Sequence, residues 1–234
     1  MINSARTELV KTFPQSDSKH PKSSYTAVHI RRGDRKAVSG EFHDGYVPVT
    51  NYVVSVTSTW KRIFPNPSPD MALPRVFLAS DSPEAIREFK QKFGHTTLYT
   101  IGESSDPNLK VLASPHPYDQ QEFWNRSLEN RITATKGMIV DFALLSGAWA
   151  GKRDPIPEAV VCTFRCVFIL CYFARLNPEY SSSAVCKLAA VVLGWDRAFG
   201  EVNRIGRTDT NAMRWIEIDL KGSVIPVWEP YELF

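Results

Sequence analysis

Few features of this chain are extreme, and each shortage removes a class of function. Cysteine is scarce, with Cys162, Cys166, Cys171 and Cys186 the only four in 234 residues. None stands in a CxxC pair, so zinc-ribbon and thioredoxin-like chemistry has no framework, and the four read as buried thiols rather than as a disulfide scaffold. Charge is nearly balanced, 28 Lys and Arg against 25 Asp and Glu, for a net of +3. The basic residues are scattered rather than striped, which argues against a nucleic-acid partner. Long hydrophobic runs are missing too. The most apolar stretch, Ala159 to Leu176, is interrupted by Arg165 and Arg175 and does not make a membrane span. Residues 1–24 are polar and lack the apolar core of a signal peptide. No GxGxxG follows a strand pattern, which removes the nicotinamide-dinucleotide fingerprint. Nor is there an Asp-x-Asp pair of the kind that holds a metal on a diphosphate.

What is present is an ordinary globular composition, 43% hydrophobic and 23% charged, on a chain long enough to bury a sizeable core. Tyr25 to Ile30 reads as a short buried strand of β-favouring residues. Val49, Val53, Val56 and Trp60 recur at helical spacing, and Pro65, Pro67 and Pro69 stop that helix. Arg75 to Ser80 is a second strand. Ser82-Pro83-Glu84 combines a hydroxyl cap, a proline at the first helical position and an acid in the first turn. Ile86, Phe89 and Phe93 form that helix's inner face, and Gly94 ends it. Thr96 to Ile101 reads as a third strand, Gly102 to Phe123 as loop, Ile132 to Leu145 as a helix and Ala159 to Phe164 as a fourth strand. Strand–helix alternation of this kind predicts an α/β fold with a doubly wound parallel sheet. Trp215 to Asp219 and Val224 to Trp228 read as terminal strands or extended arms. Asn125-Arg126-Ser127 is an N-glycosylation sequon, a slight pointer to a secretory route.

In open parallel sheets, ligands bind beyond the carboxyl ends of the strands. His29, Arg31, Arg32 and Asp34 follow the first strand, Ser80 and Asp81 the second and Thr163 the fourth. Two adjacent arginines leaving a buried strand suit phosphate, because each guanidinium offers five donors in a fixed fork and stays charged. The competing reading is a surface pair satisfied by Asp34 and neighbouring acids. Arg32-Gly33-Asp34 also spells an adhesion tripeptide, but it abuts a core strand rather than lying in an open loop.

His29-Ile-Arg-Arg-Gly-Asp34 resembles the HxRRxD segment of the α1,6-fucosyltransferases and of the related protein O-fucosyltransferases and nodulation fucosyltransferases. Phe42-His43 follows at the family's spacing. Phe77-Leu-Ala-Ser-Asp81 resembles the second family segment, Gly137 to Ser146 the third and Val161-Cys-Thr-Phe164 the start of the fourth. All stand in the family's order between Tyr25 and about Lys187. The resemblance implies a Rossmann-like lobe of a GT-B glycosyltransferase that transfers fucose from GDP-fucose with inversion, without a metal or other cofactor. Arg31 would contact the diphosphate and stabilise the departing GDP, with Arg32 supporting the same pocket. His29 and Asp141 would lie near the guanine, whose paired N–H donors suit a carboxylate. Asp34 would hold the motif's turn and Asp81 would line the sugar or acceptor side. For Asp141 the plainer reading is a surface position on an amphipathic helix, and for Asp81 a loop acid before a helix cap. The resemblance also implies a glycan or glycoprotein acceptor and a Golgi or other secretory compartment. It leaves the oligomeric state open.

Departures from the pattern matter as well. Where the family places its acid after the motif, this chain has Arg35 and Ser39, with Glu41 displaced by two positions as candidate catalytic base and His43 as a second. The fourth segment is interrupted: Cys162-Thr-Phe164 is followed by residues 165–181, and only then by Ser182-Ser183-Ala-Val-Cys-Lys187. Removing 165–181 restores the family pattern, which would put Ser182 and Ser183 at the diphosphate. The apolar composition of 165–181 points to a retained intron or a lineage-specific insertion. The expected organisation is therefore an extension or connecting helix over 1–24, the donor lobe over 25–200 and an extension over 201–234, with the family's other lobe missing. The alternative is a non-catalytic nucleotide-sugar-binding domain, or an inactive truncated or mis-spliced homologue.

Overall fold

The computed structural model describes residues 1–13, 25–34, 45–94, 97–151, 154–163, 184–194, 197–198 and 212–218. Glu41, His43, residues 165–181, Ser182, Ser183 and Val224 to Trp228 lie outside them. The described residues form one five-stranded, all-parallel sheet with helices on both faces, a Rossmann-like α/β arrangement. Its strands are β1 (Tyr25–Ile30), β2 (Val76–Ser80), β3 (Leu98–Tyr99), β4 (Pro157–Cys162) and β5 (Trp215–Glu217). The helices are α1 (Ile2–Thr12), α2 (Val49–Ile63), α3 (Pro83–Phe93), α4 (Pro107–Lys110), α5 (Gln120–Asn125), α6 (Leu128–Ser146) and α7 (Ala184–Leu193).

Strand alternation explains the two-sided core. Along β1, Tyr25 and Ala27 join the cluster containing Leu9, Phe13, Phe77, Leu144 and Val160, under α1, α6 and α7. Val28 and Ile30 join the opposite cluster with Tyr52, Val56, Leu78 and Phe89, under α2 and α3. A strand buried on both faces has no polar side, which is why β1 reads as continuously apolar apart from Thr26 and His29. The strand order is β3-β2-β1-β4-β5. The chain winds outward from β1 through β2 to β3, then returns to the other side of β1 for β4 and β5. That reversal places the topological switch point between the carboxyl ends of β1 and β4, where doubly wound sheets open a crevice.

Several boundaries differ from the expected ones. The third strand is Leu98–Tyr99 among the described residues, which leave out Thr96, and it stops short of Ile101 because β3 lies at the sheet edge beside β2 and its chain curls into a 3-10 turn over Ile101–Glu103. The expected loop from Gly102 to Phe123 holds two short helices, α4 and α5, each started by an aspartate whose carboxylate accepts from a first-turn amide, Asp106 from Asn108 and Asp119 from Glu122. Helix α6 begins at Leu128, one turn before Ile132, because Ser127 caps it by accepting from the Asn130 amide. The fourth strand runs over Pro157–Cys162 rather than Ala159 to Phe164. Residues 1–24 and 201–234 contribute α1 and β5 to this same body, with Ala5, Leu9, Phe13 and Trp215 in its core. Among the described residues, no helix is long and apolar enough to cross a membrane.

Beyond its apolar contacts, the N-terminal helix is tied to the rest by a buried cation. Arg6 is 3% exposed and donates to the Ala148 carbonyl and, at 2.9 Å, to the Trp149 carbonyl, just past the left-handed Gly147 that ends α6. These guanidinium bonds fix the turn that follows α6 and tie it to α1. Arg6→Met is therefore expected to lower unfolding free energy by about 3 kcal/mol in denaturant titration. An unchanged midpoint would show that these bonds do not hold α1.

Candidate functional site

The lip of the site is built where β1 and β2 end side by side, with Ile30 in register with Ser80. Ser80 Oγ donates to the Ile30 carbonyl at 2.7 Å, tying the two strand ends together. Beyond them, Arg31 makes one ion pair with Asp81 and a second with Asp34 at 2.7 Å. Its guanidinium carbon sits 4.7 Å from the centre of the Tyr118 ring. The carboxylate of Asp81 also accepts from the Arg32 backbone amide at 2.8 Å, and that of Asp34 accepts from the Gln120 amide at 3.1 Å. Arg32 turns the other way, pairing with Glu88 of α3 at 2.8 Å and lying 5.5 Å over Tyr46. The Tyr46 hydroxyl closes the turn by donating to the Gly33 carbonyl at 2.9 Å.

Glycine at 33 follows from crowding. A Cβ there would run into the Tyr118 carbonyl oxygen and the Asp81 carboxylate. Tyr118 is itself held by its amide on the Asp81 carbonyl at 3.0 Å, so the backbone cannot retreat cheaply. Gly33→Ala is expected to cost about 1–3 kcal/mol and to loosen the Arg31–Asp81 pair, read as a lower denaturation midpoint. A midpoint equal to that of the parent would mean that the Tyr118 segment swings away freely.

Deeper, on the α6 and α7 side of the sheet, His29 is 8% exposed and its Nδ1 lies 3.4 Å from Cys186 Sγ. Burial alone would lower the imidazole's pKa, but Cys186 and then Asp81 carry it above its ordinary value, against a smaller pull from Arg31. Asp141 comes from α6 and senses His29 electrostatically. Its Oδ1 is buried and has no hydrogen-bond partner among the described residues. Burial pushes the Asp141 carboxyl up to about 7, with His29 opposing. A buried carboxylate oxygen left bare costs free energy unless the group takes up a proton or a donor arrives. At the β4 end, Thr163 Oγ1 lies 3.2 Å from the Tyr52 hydroxyl.

Beside Arg31 an open cleft of about 520 Å³ is lined by Gly33, Asp34, His116, Tyr118, Asp119 and Glu122. Its charges, with those of the lip, are more acidic than basic. Arg31 and Arg32 stand among Asp34, Asp81, Glu88, Asp119 and Glu122, two cations against five carboxylates. Guanidinium has five N–H donors, and Arg31 uses two of them among the described residues, so a phosphate oxygen can still be held.

Six expected site residues are thus gathered. Arg31, Arg32, Asp34 and Asp81 form the lip, and His29 lies within electrostatic reach both of Arg31 and Asp81 and of Asp141. Glu41, Ser182 and Ser183 fall outside the described residues. Reading the residues alone missed Tyr46, Glu88, Tyr118 and Gln120, each of which orients an arginine or its carboxylate. No spacing rule signals them, because they arrive from α3, from the start of α5 and from connecting segments. No protein-family model matches this chain.

Proposed function

We propose that this chain is the nucleotide-sugar-binding lobe of a fucosyltransferase-like glycosyltransferase that takes GDP-fucose as donor and a glycan or glycoprotein as acceptor. The observation that carries the reading is the buried Asp141 oxygen, without a hydrogen-bond partner among the described residues and within electrostatic reach of His29, together with an arginine fork at the carboxyl ends of β1 and β2. Guanine presents adjacent N1–H and exocyclic N–H donors, which a carboxylate accepts together, whereas adenine lacks this pair. Arg31 then meets the diphosphate as a planar fork, and Arg32, its guanidinium held by Glu88, supports it through the backbone amide that anchors Asp81.

Transfer proceeds by one displacement with inversion at the sugar. The electrostatic need of that step is neutralisation of charge on the departing GDP, which falls to Arg31. The acceptor oxygen needs a base, for which the resemblance offers Glu41. A secretory compartment such as the Golgi belongs to the same proposal.

Calorimetric titration with GDP and ADP tests the binding half. GDP is expected to bind at micromolar to millimolar levels, about 100-fold tighter than ADP. Well-folded protein that ignores GDP at millimolar concentration would refute the reading.

One observation favours a second reading, a nucleotide-sugar-binding domain without catalysis: the Arg31 fork is closed by Asp34 and Asp81 at a lip with more carboxylates than cations. An assay for fucose transfer or donor hydrolysis, run on protein already shown to bind GDP, separates the two.

A further inference from the structure

The longest helix carries apolar residues on opposite sides. Its inner side, with Gly137, Val140 and Leu144, packs on the core, and the Leu112 carbonyl sits where a Gly137 side chain would begin. The outer side is exposed among the described residues. Leu128 is 66% exposed, Ile132 45%, Met138 54% and Ile139 40%. A helix with apolar residues on both sides normally buries both, and among the described residues nothing covers the outer one. Trp124 on α5 and Trp149 just beyond α6 extend the same exposed segment at its two ends. Trp149 is held with a left-handed φ of 59, its ring edge-on to Phe142 at 6.1 Å and its carbonyl fixed by Arg6.

The outer face has a register. Leu128, Ile132, Thr135, Ile139 and Phe142 follow one another at alternating spacings of four and three, the seam of a two-helix coiled coil. Glu129 and Lys136 are exposed and stand at equivalent flanking positions, one residue after Leu128 and Thr135 respectively. When two copies of this helix lie antiparallel with Leu128 against Ile139 and Ile132 against Thr135, each Glu129 falls opposite the Lys136 of the other copy. A parallel pairing does not bring these two flanking positions together. Charge at such positions sets orientation and partner choice in helix pairs.

We infer that the outer face of α6 is a self-association surface, on which a second copy of this chain docks antiparallel about a two-fold axis between Thr133 and Ala134. A closed isologous contact of this kind uses one patch twice and ends at a dimer. The seam is short, about 17 Å from Leu128 to Ile139, so the dimer is a weak, concentration-dependent one. The inference is independent of the nucleotide-sugar reading, since α6 presents its other side to that site.

Sedimentation velocity on the full chain, from low micromolar to several hundred micromolar, is expected to show a monomer–dimer equilibrium. Ile132→Glu is expected to weaken it by at least about tenfold while leaving the melting temperature close to the parent's, because the side chain is exposed in the monomer. Glu129→Lys weakens the dimer, and the double variant Glu129→Lys with Lys136→Glu restores it. The exposed charge variants keep the test alive should Ile132→Glu fail to fold. A chain that is monomeric throughout overturns the inference, including the case in which hydrogen exchange shows the α6 face shielded by other residues of the same chain. So does a dimer indifferent to both charge reversals.

Discussion

Arg31→Ala is expected to weaken GDP binding by about 100-fold or more in calorimetric titration, since a bidentate, charge-assisted grip on the diphosphate contributes about 3 kcal/mol or more. The same substitution removes the common partner of Asp34 and Asp81, but neither carboxylate is stranded. Asp81 still accepts from the Arg32 amide and Asp34 from the Gln120 amide. The fold therefore survives, with a stability loss of about 1–2 kcal/mol for two partly exposed pairs. Arg31→Lys keeps the charge and loses the fork, so it should recover stability better than affinity. Asp34→Asn is the complementary variant. It frees one arm of the fork and removes a negative charge at the lip, and GDP should bind more tightly to it. If Arg31→Ala lowers stability while GDP affinity is untouched, the arginine is only a staple between two loops, and the donor-site proposal fails.

The second large effect is a pH dependence centred on Asp141. Its carboxyl is raised from 3.8 to about 7, chiefly by burial, with His29 pulling the other way. A raised folded-state pKa means that the folded protein holds a proton the unfolded chain has released. Between pH 4 and 7, stability is therefore expected to fall as pH rises, by about 1.4 kcal/mol per unit and about 4 kcal/mol at most. His29, also raised, loses its contribution in the same direction as pH climbs through its folded value. Asp141→Asn removes the larger part of this slope, which denaturant titrations at a series of pH values would reveal. Stability that instead increases from pH 5 to 8, in parent and variant alike, would show that Asp141 is solvated. Ligand binding reverses the penalty. A guanine that donates to Asp141 selects its ionised form, so GDP affinity rises about tenfold per pH unit below 7 and levels off above. Proton release on binding, read calorimetrically in two buffers of different ionisation enthalpy, measures this linkage directly.

Elements with local signals were legible in the residues. The Ser82 cap, Pro83 and the terminal Gly94 delimit α3 as observed, with Ser82 accepting from the Ala85 amide and Gly94 at a left-handed φ of 66. Strand β1 occupies Tyr25–Ile30 as expected. The two short helices after β3 were missed although Asp106-Pro107 and Asp119 carry the same capping chemistry, because four to six residues give no periodicity to recognise. The contraction of the third strand was not legible either. How far a strand extends depends on its neighbours, and among the described residues β3 has only β2.

The site divides along the same line. That arginines, a histidine and acids follow the strands is written in the chain, and parallel α/β topology alone brings strand ends to one edge of the sheet. Which carboxylate meets which guanidinium is not. Asp34 and Asp81 reach the same arginine from positions 3 and 50 residues away, and Tyr118 covers it from a segment with no strand or helix of its own. Short-range steric and capping preferences act between neighbours and determined the elements. The closure of Arg31, the burial of an Asp141 oxygen within electrostatic reach of His29 and the exposure of the outer face of α6 among the described residues arise from packing between distant segments, and so only the tertiary structure decided them.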